Sequence, residues 1–325
     1  MRTHEAPAEA GASLRSGRRV KALEAHSSSG WRFDGYSPHP IPGGRCERPK
    51  LLRNDSTSEV LIVPCGTPRE EVCAPCSTRY RRRVQQVAFR GSVLPGRVYL
   101  VTLTAPSERG QHTYRGMVCP CTPPGGVDLA QWNGRAAERW NRFQWDWKRS
   151  AGIDFEYFRA AEAQQRGALH FHVLIRVTKG RKISKARLRR LAMHHGFGHE
   201  VDIQQVGTGE DLESKLAEAP RASYYPAKYC TKSASEREAV PYVHPTTGEV
   251  GPGRWRTWTC SRGWGSSLRQ VKRDQYEWWR RQREADRLSV SEAGRMAPKA
   301  PLDPNHPRYA PQAPLPLAAG VLEPM

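Results

Sequence analysis

Two histidines set two positions apart inside an apolar run are the first residues of this chain with chemical potential. In "QQRGALHFHVLIRV", Gln164 to Val177, His170 and His172 alternate with Phe171 and Val173. A strand sends alternate side chains to one face, so both imidazoles point one way and the apolar residues the other. Two neutral imidazoles side by side begin a divalent-metal site. The plainer reading is a pair of ordinary histidines on a wet sheet face, and the rest of the chain has to decide between them.

A second group lies in "YYPAKYCTK", Tyr224 to Lys232. Tyr225 and Tyr229 are four apart and share a face if the segment is helical, and Lys228 and Lys232 each follow a tyrosine by three. Ser223 is the expected cap of a short helix. That places Pro226 in the first turn, where a missing N–H costs nothing. Two core tyrosines on an amphipathic helix are the structural alternative. A phenol is a weak nucleophile at neutral pH unless a base or cation assists it. Attack on a phosphodiester also needs polarisation of the phosphate, which a metal supplies. Paired tyrosines, lysines and paired histidines in one basic chain favour that chemistry.

The cysteines form a third group. "CGTPREEVCAPC" holds Cys65 and the knuckle Cys73-x-x-Cys76, with Cys46 upstream. A Cys-x-x-Cys turn brings two sulfurs to one ion, so these four are expected to form a structural zinc site. Cys119 and Cys121, in a Pro-rich loop, replace Cys46, form a second site or stay free; Cys230 and Cys260 read as structural.

The elements that must carry these groups are legible as periodicity. "RVYLVTLTA" (Arg97–Ala105) reads as a strand closed by Pro106. "VDLAQWNGRAAERWNRFQWDWKRSAG" reads as a helix capped by Asp128 and stopped by Gly152. "IDFEYFRAAEA" is a strand that turns at Arg166-Gly167 into the histidine strand. A short helix from Ser184 to Gly196 and the strand "HEVDIQQV" follow, and then the tyrosine helix. The first six elements have the βαββαβ order of ferredoxin-like antiparallel sheets, an α+β class. The expected organisation is a disordered tail over 1–40, a zinc module with a basic helix over 41–92 and a catalytic domain over 93–235. A Trp/Arg-rich extension with a helix over 236–290 and a Pro-rich disordered tail over 291–325 complete it.

Composition narrows the partner. The chain has 325 residues, 38% of them hydrophobic, and a formal net charge of +20 with a pI near 10.0. Such a charge points to nucleic acid before a membrane. With no apolar run long enough to span a bilayer and no apolar signal core, the expected location is cytoplasmic, where cysteines serve as ligands or free thiols. Arg79, Arg81, Arg82 and Arg83 after the knuckle are candidates for phosphate contact or a solvated helix face. In "GRWRTWTCSRGWG", Trp255, Trp258 and Trp264 interleave with Arg254, Arg256 and Arg262, which suits base stacking on single strands or a small core.

Taken together, "LVTLTAPS", "AEAQQRGALHFHVLIRV" and "YYPAKYCTKS" resemble, in that order, the HUH endonucleases. More narrowly they look like the rolling-circle replication initiators of actinobacterial plasmids and phages. The resemblance implies that His170, His172 and Glu162, eight residues before His170, ligate Mg²⁺ or Mn²⁺. It also implies that Tyr225 is the nucleophile and forms a 5′-phosphotyrosine bond. Tyr229 is then the second nucleophile, with Lys228 and Lys232 at the phosphate. The implied partner is single-stranded or origin DNA. The chain carries no Gly-x-x-x-x-Gly-Lys loop, so a host helicase would unwind the DNA and a host polymerase extend it. The competing readings are a relaxase or transposase of the same chemistry, and a zinc-containing nucleic-acid-binding protein without catalysis.

Overall fold

The histidine strand lies inside a five-stranded sheet. In a computed structural model of the chain the described residues are 30–41, 43–109, 113–114, 117–118, 125–179, 182–207, 211–236, 240–253 and 255–293. Cys119, Cys121, Arg254 and most of both expected tails fall outside them. The strands β1 (Trp31–Tyr36), β2 (Lys50–Asn54) and β3 (Val60–Val63) form a small antiparallel sheet. Helix α1 (Ala74–Ser92) precedes β4 (Arg97–Leu103), and a two-residue ribbon follows, β5 (Thr113–Tyr114) with β6 (Met117–Val118). Then come α2 (Leu129–Ala151), β7 (Asp154–Ala163), β8 (Leu169–Lys179), α3 (Lys185–His194), β9 (Val201–Val206) and α4 (Leu212–Glu236). The series ends with the pair β10 (Pro241–Val243) and β11 (Val250–Pro252), then β12 (Trp258–Cys260) and α5 (Leu268–Ala293).

The main sheet has the order β12-β7-β8-β4-β9, antiparallel at every pairing. Its period of two divides the side chains. Tyr99, Val101, Phe155, Ala161, Phe171, Val173 and Ile175 join a core with Trp140, Phe143 and Trp147 of α2 and Leu188 of α3. The other face packs Phe158, Ala160 and Leu174 against Val84 and Val87 of α1 and Ala227 and Cys230 of α4. Asp128 caps α2, accepting from the Ala130 and Gln131 amides, and Gly152 ends it with φ at 60°. Ser184 Oγ accepts from the Arg187 amide at the start of α3.

Several expectations are corrected. Trp31–Tyr36, inside the segment read as a disordered tail, pairs with β2. Residues up to Lys272, which span the expected zinc module and catalytic domain, group as one unit and those from Arg273 as a second. β12, from the supposed extension, is the outer strand of the main sheet, and α1, from the supposed zinc module, covers it. The tyrosine helix is not short. It begins at Leu212, where Asp211 Oδ2 accepts from the Ser214 amide, so Ser223 is no cap and Pro220 and Pro226 are interior. Each proline removes one intrahelical hydrogen bond, a cost of about 3 kcal/mol in an isolated helix. Packing of Ala222, Ala227 and Cys230 against α1 and the sheet offsets it. Among the described residues no helix is long and apolar enough to cross a membrane.

Candidate metal and nucleophile site

The site is set by register. Glu162 on β7 lies directly opposite His170 on β8, and Ala160 opposite His172, so the carboxylate and both imidazoles leave the sheet on the face that α4 covers. β8 is flanked by β7 and β4, which makes its backbone rigid. The Nε2 atoms of His170 and His172 both donate to one oxygen, Glu162 Oε2, at 2.6 Å and 2.9 Å. All three ligand atoms lie within 4.8 Å of one another. Neighbouring ligands of an octahedral Mg²⁺ or Mn²⁺ with bonds of about 2.1 Å sit about 3 Å apart, so this donor set fits such an ion with little movement.

Burial tunes these groups. It would raise the Glu162 carboxyl, but hydrogen bonds from His170, His172 and Lys232 outweigh it and hold the acid well below the usual carboxylate range. Burial lowers His172 and keeps it neutral, the form that can ligate a metal. Its other nitrogen, Nδ1, lies 3.3 Å from Thr102 Oγ1 on β4, the residue opposite it in register. Such an outer partner fixes ring orientation. The sequence reading gave Thr102 no role, although "LVTLTAPS" contains it; its position next to the ligand strand is the signal that pairing alone reveals.

Helix α4 brings the phenols over this group. The Tyr229 ring stacks on His172 with centroids 4.5 Å apart and planes 18° from parallel, and the Tyr225 ring meets His172 edge-on at 4.9 Å. The two phenols meet each other at 5.1 Å. They are unequal. Tyr225 is 42% exposed, whereas Tyr229 is partly buried. Burial, the Tyr225 hydroxyl and the Glu162 charge all raise the Tyr229 phenol far above its ordinary value. Tyr224 is 46% exposed and takes no part in these ring contacts. Lys232 Nζ donates to Glu162 Oε1 at 3.1 Å and lies 3.8 Å from Glu236, so the Glu162 carboxylate is its direct partner. Lys228 is exposed, its Nζ 5.8 Å from the Tyr229 ring centroid.

The four cysteines Cys46, Cys65, Cys73 and Cys76 form a separate buried cluster with all sulfurs within 4.8 Å. Cys46 Sγ and Cys73 Sγ are 3.9 Å apart, close to the edge of about 3.8 Å expected for tetrahedral Zn–S bonds of about 2.3 Å. The Cys65 amide donates to Cys46 Sγ at 3.3 Å and the Glu47 amide to Cys73 Sγ at 3.4 Å. Burial raises Cys65 to about 12. It would raise Cys76 too, but the Gly66 amide and Arg79 bring that thiol down to about 7. The donor set fits zinc.

The expected DNA contacts fare differently. Arg79 donates to Cys76 Sγ at 3.1 Å and to the Arg45 carbonyl, so it braces the cysteine cluster and does not reach for phosphate. Burial lowers Arg83, and Arg79 adds to the shift; Arg81 is partly buried and Arg82 exposed. Trp255, 7% exposed, lies in the α2-side core near Tyr242, with no face open to a base. Trp258 stacks on Phe158 at 5.4 Å and donates from Nε1 to Tyr80. Trp264 is fully buried against Gly91, where a Cβ would come within 2.2 Å of the indole, and donates from Nε1 to the Val87 carbonyl. Trp255 and Trp264 are core, and Trp258 is partly buried against it.

Residues 98–234 match the family model of the replication-associated protein ORF2. The matched range starts in β4 and ends in α4, so it contains Thr102, Glu162, His170, His172, Tyr225, Tyr229 and Lys232 and none of the four clustered cysteines. The similarity points to a role in the initiation of DNA replication. No curated protein and no solved structure matches the chain.

Proposed function

We propose that the chain is a rolling-circle replication initiator of the HUH type, which nicks one strand of origin DNA and transfers its 5′ end to tyrosine. One observation carries this reading: a Glu–His–His ligand set and two phenols meet on one face of the sheet, with His172 touching all of them. The sheet supports it. Counting β4, β7, β8 and β9 as first to fourth, their spatial order is second, third, first, fourth, the ferredoxin-like order, with β12 added at the outer edge.

In this reading Glu162, His170 and His172 hold Mg²⁺ or Mn²⁺, which when bound polarises the scissile phosphate. Thr102 holds the His172 ring so that Nε2 faces inward. Lys232 keeps Glu162 ionised and adds positive charge where phosphate arrives. Tyr225, the exposed phenol, attacks first. Its Oη–phosphorus bond forms as the bond to O3′ breaks; the phenol proton passes to water and the departing oxygen ends as a 3′-hydroxyl. Tyr229, one helical turn away, is stored protonated for the second cut that releases the displaced strand. Cys46, Cys65, Cys73 and Cys76 hold a structural zinc. Unwinding and extension come from a host helicase and polymerase.

A relaxase or transposase has the same chemistry, but a single-tyrosine enzyme has no use for Tyr229 over His172. The test is incubation with single-stranded origin DNA and Mn²⁺, followed by a denaturing gel. A covalent protein–DNA adduct is the expected result. Its absence with every metal tried would leave a non-catalytic nucleic-acid-binding protein.

A further inference from the structure

The face of the main sheet turned away from the triad carries another cluster of metal-ligating side chains. Asp146 lies in the last turns of α2, His194 is the final residue of α3 and His195 is its C-cap. One carboxylate oxygen of Asp146 and one nitrogen of each ring lie within 4.8 Å of one another. Phe143 and Trp147 of α2 and Leu188 and Ala192 of α3 pack on the sheet face opposite to α1 and α4. The sheet therefore separates this cluster from Glu162, His170 and His172.

The chain holds these positions firmly. The His195 amide donates to the Leu191 and Ala192 carbonyls, each at 3.1 Å, and the His195 carbonyl accepts from Arg139 at 3.4 Å. Gly196, with φ at 79°, turns the chain immediately afterwards, and a Cβ there would run into Arg139. The His195 side chain is 9% exposed and meets the Phe143 ring edge-on at 6.2 Å. The His194 ring lies beside it at 5.1 Å, with its plane turned by 84°, and that residue is exposed.

The contact at the centre is not an ordinary hydrogen bond. His195 Nε2 lies 2.9 Å from Asp146 Oδ2, yet this buried nitrogen has no hydrogen-bond partner among the described residues. Two atoms that stand so near without one pointing at the other are placed as neighbouring ligands of a third atom. In a tetrahedral zinc site with bonds of about 2.0 Å, such neighbours stand about 3.3 Å apart. Arg149 reaches the other oxygen, Oδ1, at 3.3 Å, which leaves Oδ2 for ligation, and Arg142 is paired with Glu138. The negative end of the α3 dipole adds to the attraction for a cation. Two imidazoles with one carboxylate suit a borderline dication such as Zn²⁺ better than Mg²⁺ or Ca²⁺.

We infer that Asp146, His194 and His195 bind a zinc ion that clamps the end of α3 to α2, with its fourth position open to solvent beside His194. Nothing in this binding depends on the nicking of DNA.

The test uses the full chain without a polyhistidine tag, dialysed against buffered Zn²⁺, with bound zinc counted by elemental analysis. His194→Ala and Asp146→Asn are each expected to hold one zinc fewer per chain than the wild type. Cys73→Ser is expected to lose a different zinc, so that it and His194→Ala together lose two. The clamp has a second readout in trypsin digestion, because α3 carries Lys185, Arg187, Arg189 and Arg190. Zinc is expected to slow cutting within α3 in the wild type and in Cys73→Ser, and to have no effect in His194→Ala. His194 is exposed and Asp146→Asn keeps its shape, and thermal melting shows that both variants are folded. Equal zinc in the wild type and both variants would overturn the site and leave a plain packing contact. A lost zinc with unchanged cutting of α3 would overturn the clamp.

Discussion

Two ligand clusters of this molecule are built on opposite plans. Cys46, Cys65, Cys73 and Cys76 come from loops and the first turn of α1, offer four sulfurs, and close on themselves with no route for a substrate. Glu162, His170 and His172 come from two paired strands, offer three atoms, and are roofed by a half-exposed tyrosine. Four soft ligands with none to spare describe a site that holds structure. Three harder ones with room for more suit an ion that also takes a substrate, as the proposed function requires. The backbone follows the same division: the strands of the triad are paired with their neighbours, whereas Cys46, Cys65 and Cys73 lie outside any helix or strand.

The comparison breaks most visibly if the triad proves structural. His170→Ala is expected to lower nicking by about a thousand-fold while the melting temperature stays within a few degrees, because a metal supplies several kcal/mol to phosphate chemistry and little to this sheet. Unfolding of that variant, seen by calorimetry, would put the triad in the same class as the cysteines. Among the nucleophiles, Tyr225→Phe should abolish or severely weaken the first cut, Tyr229→Phe should spare it and impair strand release, and the double variant should form no adduct on a denaturing gel. Adduct surviving in the double variant would move suspicion to Tyr224.

The converse holds for the cysteines. Zinc-linked folding energy in small modules is about 10 kcal/mol or more. Cys73→Ser is therefore expected to remove one zinc per chain by elemental analysis and to loosen the cysteine-bearing segment 43–73 while α1 stays packed on the sheet. Nicking by the chain that remains folded should continue. The smallest effect sharpens the triad itself. Thr102→Val keeps the shape of the side chain and deletes its bond to His172, and about a ten-fold fall in metal affinity is expected. No change in a manganese titration would mean that packing alone orients the ring.

Much of this was legible in the sequence, and the failures share a cause. The alternation around His170 and the caps Asp128 and Ser184 report local geometry, and the elements formed as read. Glu162 came from resemblance alone; pairing with His170 is what gives it a physical reason. The reading of α4 as short rests on Pro226, which in isolation needs a first-turn position after a cap at Ser223, and only tertiary packing keeps the longer helix. β12 escaped notice because three residues carry no period, and its partner lies far back in the chain. Trp255 and Trp264 stay undecided in the sequence because tryptophan beside arginine has the same composition in a core as on a nucleic-acid surface. Burial, which distinguishes them, is not a local property.

The placement of β12 bears on how the protein is made. β7, the strand that carries Glu162, leaves the ribosome with both of its edges bare; β8 soon covers one, and the other waits for Trp258–Cys260. Until then a nascent chain displays the outer edge of its main sheet, an open template for another chain. A fragment cut to the 98–234 range would keep that edge permanently. Expression trials should therefore find a fragment that starts at β4 soluble only when it extends past Trp264, whose indole anchors the turn after β12 beneath α1.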